Sequence, residues 1–112
     1  MKKRALFVLA AALAIAADLT GTWDLEVVTD QANGTPTLTL KQDGEKLTGK
    51  YSGQLGEHAI TGTVKGDEFE VGFTSEYGPI KYNGKVAGDS VSGKVDLAGG
   101  QAKGTFKGTR RK

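Results

Sequence analysis

The chain contains a single histidine, His58, which directly follows the carboxylate of Glu57. A histidine beside a carboxylate can act as a general base when a nucleophile or substrate-binding groups lie close by. No Ser or Asp motif supplies such a partner, and the chain has no Cys. We therefore predict no catalytic residues and no enzymatic activity. We interpret His58 as a surface residue in a loop between two predicted strands, the third and the fourth of the strands given below.

Four polar residues in predicted loops could gather at one rim of the fold and bind a cation such as calcium: Asp30, Asn33, Glu57 and Glu76. Their spacing matches no known calcium-binding loop, so we interpret them as solvated side chains. The lack of Cys excludes a disulfide scaffold and a Cys-ligated zinc or iron–sulfur site. The prediction is a protein without metal and without cofactor.

Residues 1–16 have the features of a bacterial secretory signal peptide. Basic residues at 2–4 precede an apolar run at 5–15, and alanines at 14 and 16 provide a cleavage site. The run is too short to cross a hydrocarbon core of about 30 Å. We expect cleavage near Ala16, no stable membrane insertion afterwards, and a periplasmic or secreted protein with one domain at 17–112.

The charge of the chain depends strongly on this segment. The whole chain has a formal net charge of +2, and the segment carries three of its 15 basic residues and none of its 13 acidic ones. The mature chain therefore has a net charge of −1, without the basic surface typical of nucleic-acid binding. We expect no nucleic-acid partner, and the oligomeric state stays open.

From Leu19 onward, apolar residues alternate with polar ones, which is typical of strands with one buried face. The pattern predicts an all-β fold: an eight-stranded antiparallel up-and-down β-barrel, with a two-sheet sandwich as the alternative. Pairing of the first and last strands would remove both exposed edges. The predicted strands are 19–29, 35–42, 46–53, 58–65, 68–75, 79–87, 90–97 and 101–109.

Four two-residue hairpin turns are predicted, at 43–44, 66–67, 88–89 and 99–100. They place Leu40 opposite Leu47, Val64 opposite Phe69, Val86 opposite Val91, and Leu97 opposite Ala102. Each turn thus pairs apolar with apolar, as one buried face requires.

A pentad of the form apolar-x-Gly-x-apolar recurs six times, and its glycine always has inward parity. Glycine weakens a strand, so its repeated use requires a reason. Barrel closure provides one, because an inward Cβ at a sharp bend would crowd the axis. We predict structural roles for Gly21, Gly49, Gly62, Gly84, Gly93 and Gly104.

Gly21-Thr22-Trp23 forms a G-x-W motif, and LTGTW (19–23) with DGEKLTGKY (43–51) resembles the first strands of the avidin and streptavidin group of calycin barrels. The resemblance implies that Trp23 closes one end of the barrel. Only Tyr51 matches a polar biotin ligand of that family, and Leu25 stands where the family has Asn, so we predict no biotin binding. The chain also resembles small secreted bacterial β-domains that repeat TGT and end in TGTRK-like tails.

The connections at 30–34, 53–57 and 76–78 are expected to be longer than the turns at the other end, and loops on a rigid scaffold commonly carry function. Our hypothesis is a non-catalytic barrel that binds a small, mainly apolar ligand in or at its mouth. The alternative is a solid-cored accessory module that binds another envelope protein or a polymer. The candidate ligand contacts are Tyr77, Tyr51, Tyr82, His58, Leu55 and Asn33.

Overall fold

The computed structural model describes residues 18–30 and 33–111. The predicted signal peptide lies outside these residues. The described chain is all-β and forms nine strand segments, as the alternation of apolar residues predicts. They are β1 (Gly21–Thr29), β2 (Asn33–Gly34), β3 (Thr37–Asp43), β4 (Lys46–Gly53), β5 (Gly56–Lys65), β6 (Glu68–Ser75), β7 (Gly78–Ala87), β8 (Ser90–Leu97) and β9 (Ala102–Arg110).

Eight of the segments form a closed antiparallel up-and-down barrel. Each long strand pairs with the next one along the chain, and β9 returns to pair with β1 along Trp23–Thr29. This closure confirms the predicted barrel and excludes the sandwich. The two-residue β2 pairs with Val27 and Val28 and folds the chain back over β1.

Three of the four predicted registers are confirmed. Val64 lies opposite Phe69, Val86 opposite Val91, and Leu97 opposite Ala102. The last connection is nevertheless longer than predicted, because Ala98–Gly100 forms a 3-10 turn.

The predicted turn at 43–44 is wrong, because the turn lies one residue later in the chain. Asp43 belongs to β3 and pairs with Lys46, so the turn is Gly44-Glu45 and Leu40 lies opposite Gly49 rather than Leu47. The reason is the glycine, whose φ of 63° suits the first central position of a type II′ turn. The inward parity survives, because the register shifts by two.

The prediction of longer connections at the opposite end is wrong for two of its three members. Gly53 pairs with Gly56 and Ser75 with Gly78, so both connections are two-residue turns. The connections between β1 and β3 and between β8 and β9 are longer. This end, made by the described residues 30, 33–36, 54–55, 76–77 and 98–101, is called the mouth below.

A 22-residue period underlies this architecture. The turns opposite the mouth begin at Gly44, Gly66 and Gly88, each followed by an acidic residue. At the mouth, glycines recur at 34, 56, 78 and 100 with the same spacing. Each period is one hairpin, so the barrel is built from four related hairpins.

The inward glycines allow close approach of neighbouring strands. A Cβ at Gly49, Gly62, Gly93 or Gly104 would collide with a backbone carbonyl of the adjacent strand, and one at Gly84 would also meet the Phe106 ring. The obstruction is therefore the next strand rather than the barrel axis. Gly21 differs, because its neighbour is the Arg110 side chain and its φ is 140°.

The core consists of inward-facing strand residues together with Leu19, and Leu97 is only partly buried. Leu19 and Trp23 cover the end that carries turns 44–45, 66–67 and 88–89, called the closed end below; both are almost completely buried. The Trp23 indole N–H donates to the Leu19 carbonyl at 2.9 Å, and the Arg110 guanidinium lies 4.5 Å from the centroid of the Trp23 ring.

Candidate functional site

A cavity of about 380 Å³ opens at the mouth of the barrel. Its volume lies within the range of about 300–1,000 Å³ that is usual for ligand pockets. The strand ends at the mouth and all four mouth connections form its walls. The lining residues are Val27, Thr29, Asn33, Gly34, Thr35, Pro36, Tyr51, Gln54, Leu55, Tyr77, Ile80, Tyr82, Leu97, Ala98, Gln101 and Ala102.

The lining is uncharged. Within the described ranges 18–30 and 33–111, no Asp, Glu, Lys, Arg or His side chain contributes to it. Aliphatic and aromatic side chains dominate, and the polar groups are amides and hydroxyls. An ion inside this cavity would lack a counter-charge, so the chemistry favours a neutral and mainly apolar ligand.

Five of the six predicted contact residues meet at this cavity: Asn33, Leu55, Tyr77, Tyr51 and Tyr82. Three of them occupy the same position in successive 22-residue hairpins, at 33, 55 and 77. The repeat therefore brings them to the rim together, although they are far apart along the chain.

His58 is the exception, and its placement in a surface loop is wrong. It is the third residue of β5 and is half-buried, with the inward parity of Ile60. Its ring stacks on Phe73 with centroids 4.8 Å apart, and its Nε2 lies 2.8 Å from the Leu55 carbonyl oxygen. His58 thus supports the turn that carries Leu55 and does not line the cavity.

Tyr51 and Tyr82 line the cavity although both residues are almost completely buried. Tyr51 packs on Phe73 with centroids 4.4 Å apart. Its hydroxyl fits where Gly53 has no side chain, since a Cβ there would lie 2.7 Å from the oxygen. Burial raises the pKa of Tyr51, and a backbone hydrogen bond from Leu55 opposes the rise.

Tyr82 lies deeper, with 3% of its surface exposed. The Tyr82 and Phe106 rings meet edge to face, with their centroids 5.2 Å apart. Burial raises the pKa of Tyr82, and the nearby Tyr51 phenol adds to the rise. Within the described part of the chain, its hydroxyl has no hydrogen-bond partner.

Tyr77 lies at the outer rim, where 67% of its surface is exposed. The turn that carries it is held by Ser75, whose buried hydroxyl donates to the Gly78 carbonyl and accepts from the Tyr77 N–H, both at 3.0 Å. A hydrogen-bonded turn therefore presents an exposed aromatic ring beside the opening of the cavity.

The connection between β8 and β9 is a part of the site that sequence reasoning missed. Ala98, Gln101 and Ala102 line the cavity, but Gly99-Gly100 resembles a tight hairpin turn. The 22-residue spacing of the mouth glycines is the signal that places Gly100 with Gly34, Gly56 and Gly78.

The predicted rim acids do not build a metal centre. Among the residues that the structure describes, no group of three or more His, Cys, Asp or Glu side chains comes together. Gln31, in the predicted connection at 30–34, lies outside those residues. No described helix is long and apolar enough to span a bilayer.

A second hollow, of about 710 Å³, lies on the outer face near the closed end. It is lined by strand and turn residues, several of them charged, such as Glu26, Lys85 and Lys107. None of the predicted contact residues borders it.

A scan of the chain against protein-family models gives no match, and a search of curated proteins gives no significant match. The closed eight-stranded antiparallel barrel is consistent with a calycin-like fold.

Proposed function

We propose that this protein is an exported, non-catalytic barrel of calycin type that binds a small, neutral, mainly apolar molecule in the cavity at its mouth. The observation that carries the proposal is the cavity itself. A solid core would leave less than about 100 Å³, whereas the cavity has about 380 Å³ and an uncharged lining. Export and calycin kinship rest on the N-terminal pattern and on the G-x-W motif.

The depth of the cavity supports binding inside the barrel rather than on its surface. Ile80 and Tyr82 line its wall and are 2% and 3% exposed. A ligand that reaches them would exchange water for an apolar environment at about 25 cal/mol for each Å² of apolar surface buried.

The test is a titration of the purified protein with N-phenyl-1-naphthylamine, a neutral probe whose fluorescence rises in apolar surroundings. Native mass spectrometry of protein purified from its own periplasm would show whether a molecule is carried along. We expect saturable binding of the probe with one site for each chain.

Two matched variants locate the binding site. Ala102→Phe fills the cavity, whereas Ala87→Phe adds the same ring at an exposed position near the closed end. We expect the first to weaken probe binding at least tenfold and the second to leave it unchanged. If Ala102→Phe does not fold, as judged by circular dichroism, Leu97→Trp fills the same cavity.

Two results would contradict the proposal: no saturable binding by the wild type, or equal binding by a folded cavity-filling variant. The exposed Tyr77 favours the alternative, an accessory module that docks onto an envelope protein or a polymer. In that case, Tyr77→Ala would abolish partner binding while probe binding stays absent in the wild type.

A further inference from the structure

We infer that Tyr82 is the polar anchor of the mouth cavity and that its hydroxyl donates a hydrogen bond to the carbonyl oxygen of a neutral ligand, such as a ketone or an ester. This inference rests on the proposed function and names the chemical class of the ligand. It starts from one feature: Tyr82 is buried and lines the cavity, and its hydroxyl has no hydrogen-bond partner within residues 18–30 and 33–111.

A buried tyrosine hydroxyl ordinarily has a hydrogen-bond partner, because an unpaired buried donor retains its full desolvation cost. Phe at position 82 would keep the ring contact with Phe106 without this cost. A ligand acceptor in the cavity would give this hydroxyl a hydrogen-bond partner.

The hairpin repeat gives an independent argument. The positions equivalent to Tyr82 in the other hairpins are Leu38, Ile60 and Gly104, 22 residues apart in succession. All three are apolar or lack a side chain, so packing of this layer does not require a hydroxyl. The hydroxyl appears in the one hairpin where the layer borders the cavity.

The protonation state of Tyr82 makes it a donor. Burial raises its pKa above the ordinary value, so the phenol keeps its proton at neutral pH. A carbonyl oxygen accepts this hydrogen bond and brings no proton of its own into the uncharged cavity. An alcohol would bring a second donor that needs its own acceptor.

The experiment compares three probes of nearly the same shape: 2-ethylnaphthalene, 2-acetylnaphthalene and 1-(2-naphthyl)ethanol. Each is titrated against the wild type, Tyr82→Phe and Tyr77→Phe, the last as a matched control at the exposed rim. We expect the wild type to bind the ketone about three- to tenfold more tightly than the hydrocarbon, after correction for their different solubilities in water, which is the range of one net hydrogen bond.

Tyr82→Phe should lose this preference and keep its affinity for the hydrocarbon, whereas Tyr77→Phe should retain the preference. The carbonyl stretching frequency of the bound ketone should fall in the wild type and return towards its apolar-solvent value in Tyr82→Phe. The urea midpoint of the empty Tyr82→Phe variant should not decrease, since no internal hydrogen bond is lost.

Three results would overturn the inference: equal binding of ketone and hydrocarbon by the wild type, an unchanged preference in Tyr82→Phe, or a preference for the alcohol. A lower urea midpoint in Tyr82→Phe would instead identify the hydroxyl as a structural group. Failure of all three probes to bind would contradict the proposed function itself, which separates the two failures.

Discussion

The two ends of this barrel are built from the same hairpin unit and yet differ in the hydrogen bonding of their polar groups. At the closed end, the Arg110 guanidinium donates to the carbonyls of Thr20, Asp18 and Gly88 at 2.6, 2.9 and 3.2 Å. At the mouth, the Tyr82 hydroxyl has no such partner in the described chain. The Arg110 guanidinium is therefore hydrogen-bonded within the protein, whereas the Tyr82 hydroxyl is a donor that a ligand can use.

The difference comes from the ends of the repeated sequence. The turns of the closed end begin with Gly44, Gly66 and Gly88, and the next equivalent position is Arg110. Arg110 occupies the last of these equivalent positions, and its guanidinium lies over the Trp23 ring. The buried Leu19 covers the same end of the barrel. Among residues 18–30 and 33–111, the cavity at the mouth opens to the outside.

The largest expected difference between the two ends is in stability. Trp23→Ala should lower the free energy of unfolding by about 3–5 kcal/mol, because it removes a buried ring and its hydrogen bond to Leu19. Tyr77→Ala should change it by less than about 0.5 kcal/mol, because the ring is 67% exposed. Urea unfolding followed by circular dichroism measures both, and similar costs would show that the mouth is as tightly packed as the closed end.

A smaller effect is expected from glycine substitutions in the wall and at the mouth. Gly62→Ala should cost about 1–3 kcal/mol, because its Cβ would collide with the Glu70 carbonyl. Gly34→Ala, at the mouth, should cost less than about 0.5 kcal/mol, since its nearest neighbour is the Gln54 side chain at 3.6 Å. Thermal unfolding midpoints give the order, and a milder effect at Gly62 would argue against tight strand contact there.

The smallest expected effect is a loss of stability at alkaline pH, which reports on the burial of Tyr82 at the mouth. The folded protein holds the pKa of Tyr82 above the ordinary value of 10.0. Below that pH, both states keep the proton. Above it, the unfolded chain releases the proton more readily, so the free energy of unfolding falls as the pH rises.

Tyr82→Phe should therefore lose less stability than the wild type between about pH 9 and about pH 11, by up to about 1.4 kcal/mol for each pH unit above the ordinary pKa. Tyr51→Phe should act in the same direction but less strongly, because the Leu55 hydrogen bond opposes the rise in its pKa. Equal alkaline losses in the wild type and Tyr82→Phe would mean that the Tyr82 phenol is accessible to water.

Alternation and turn residues predict much of the fold, because strand faces repeat with a period of two and hairpin turns require particular residues. The error at Asp43-Gly44 has a local origin. Asp-Gly is a favourable turn pair when Gly is second, and here Gly takes the first position. The 22-residue spacing would have corrected it.

The candidate site is predictable only in part. Residues 33, 55 and 77 share the rim because strand alternation and turn spacing set their positions along the chain, and these are local properties. The amino-acid order alone therefore specifies the strands, the inward face and the three rim residues.

Other features depend on non-local contacts and follow from the folded barrel alone. The His58 ring stacks on Phe73, a residue of the next strand, and this contact exists only once the two strands are paired. The cavity is the space that four separate hairpins leave between them, and those hairpins also decide that the Tyr82 hydroxyl has no hydrogen-bond partner among residues 18–30 and 33–111. Volume and missing partners are properties of the assembled side chains, so no local pattern in the chain encodes them.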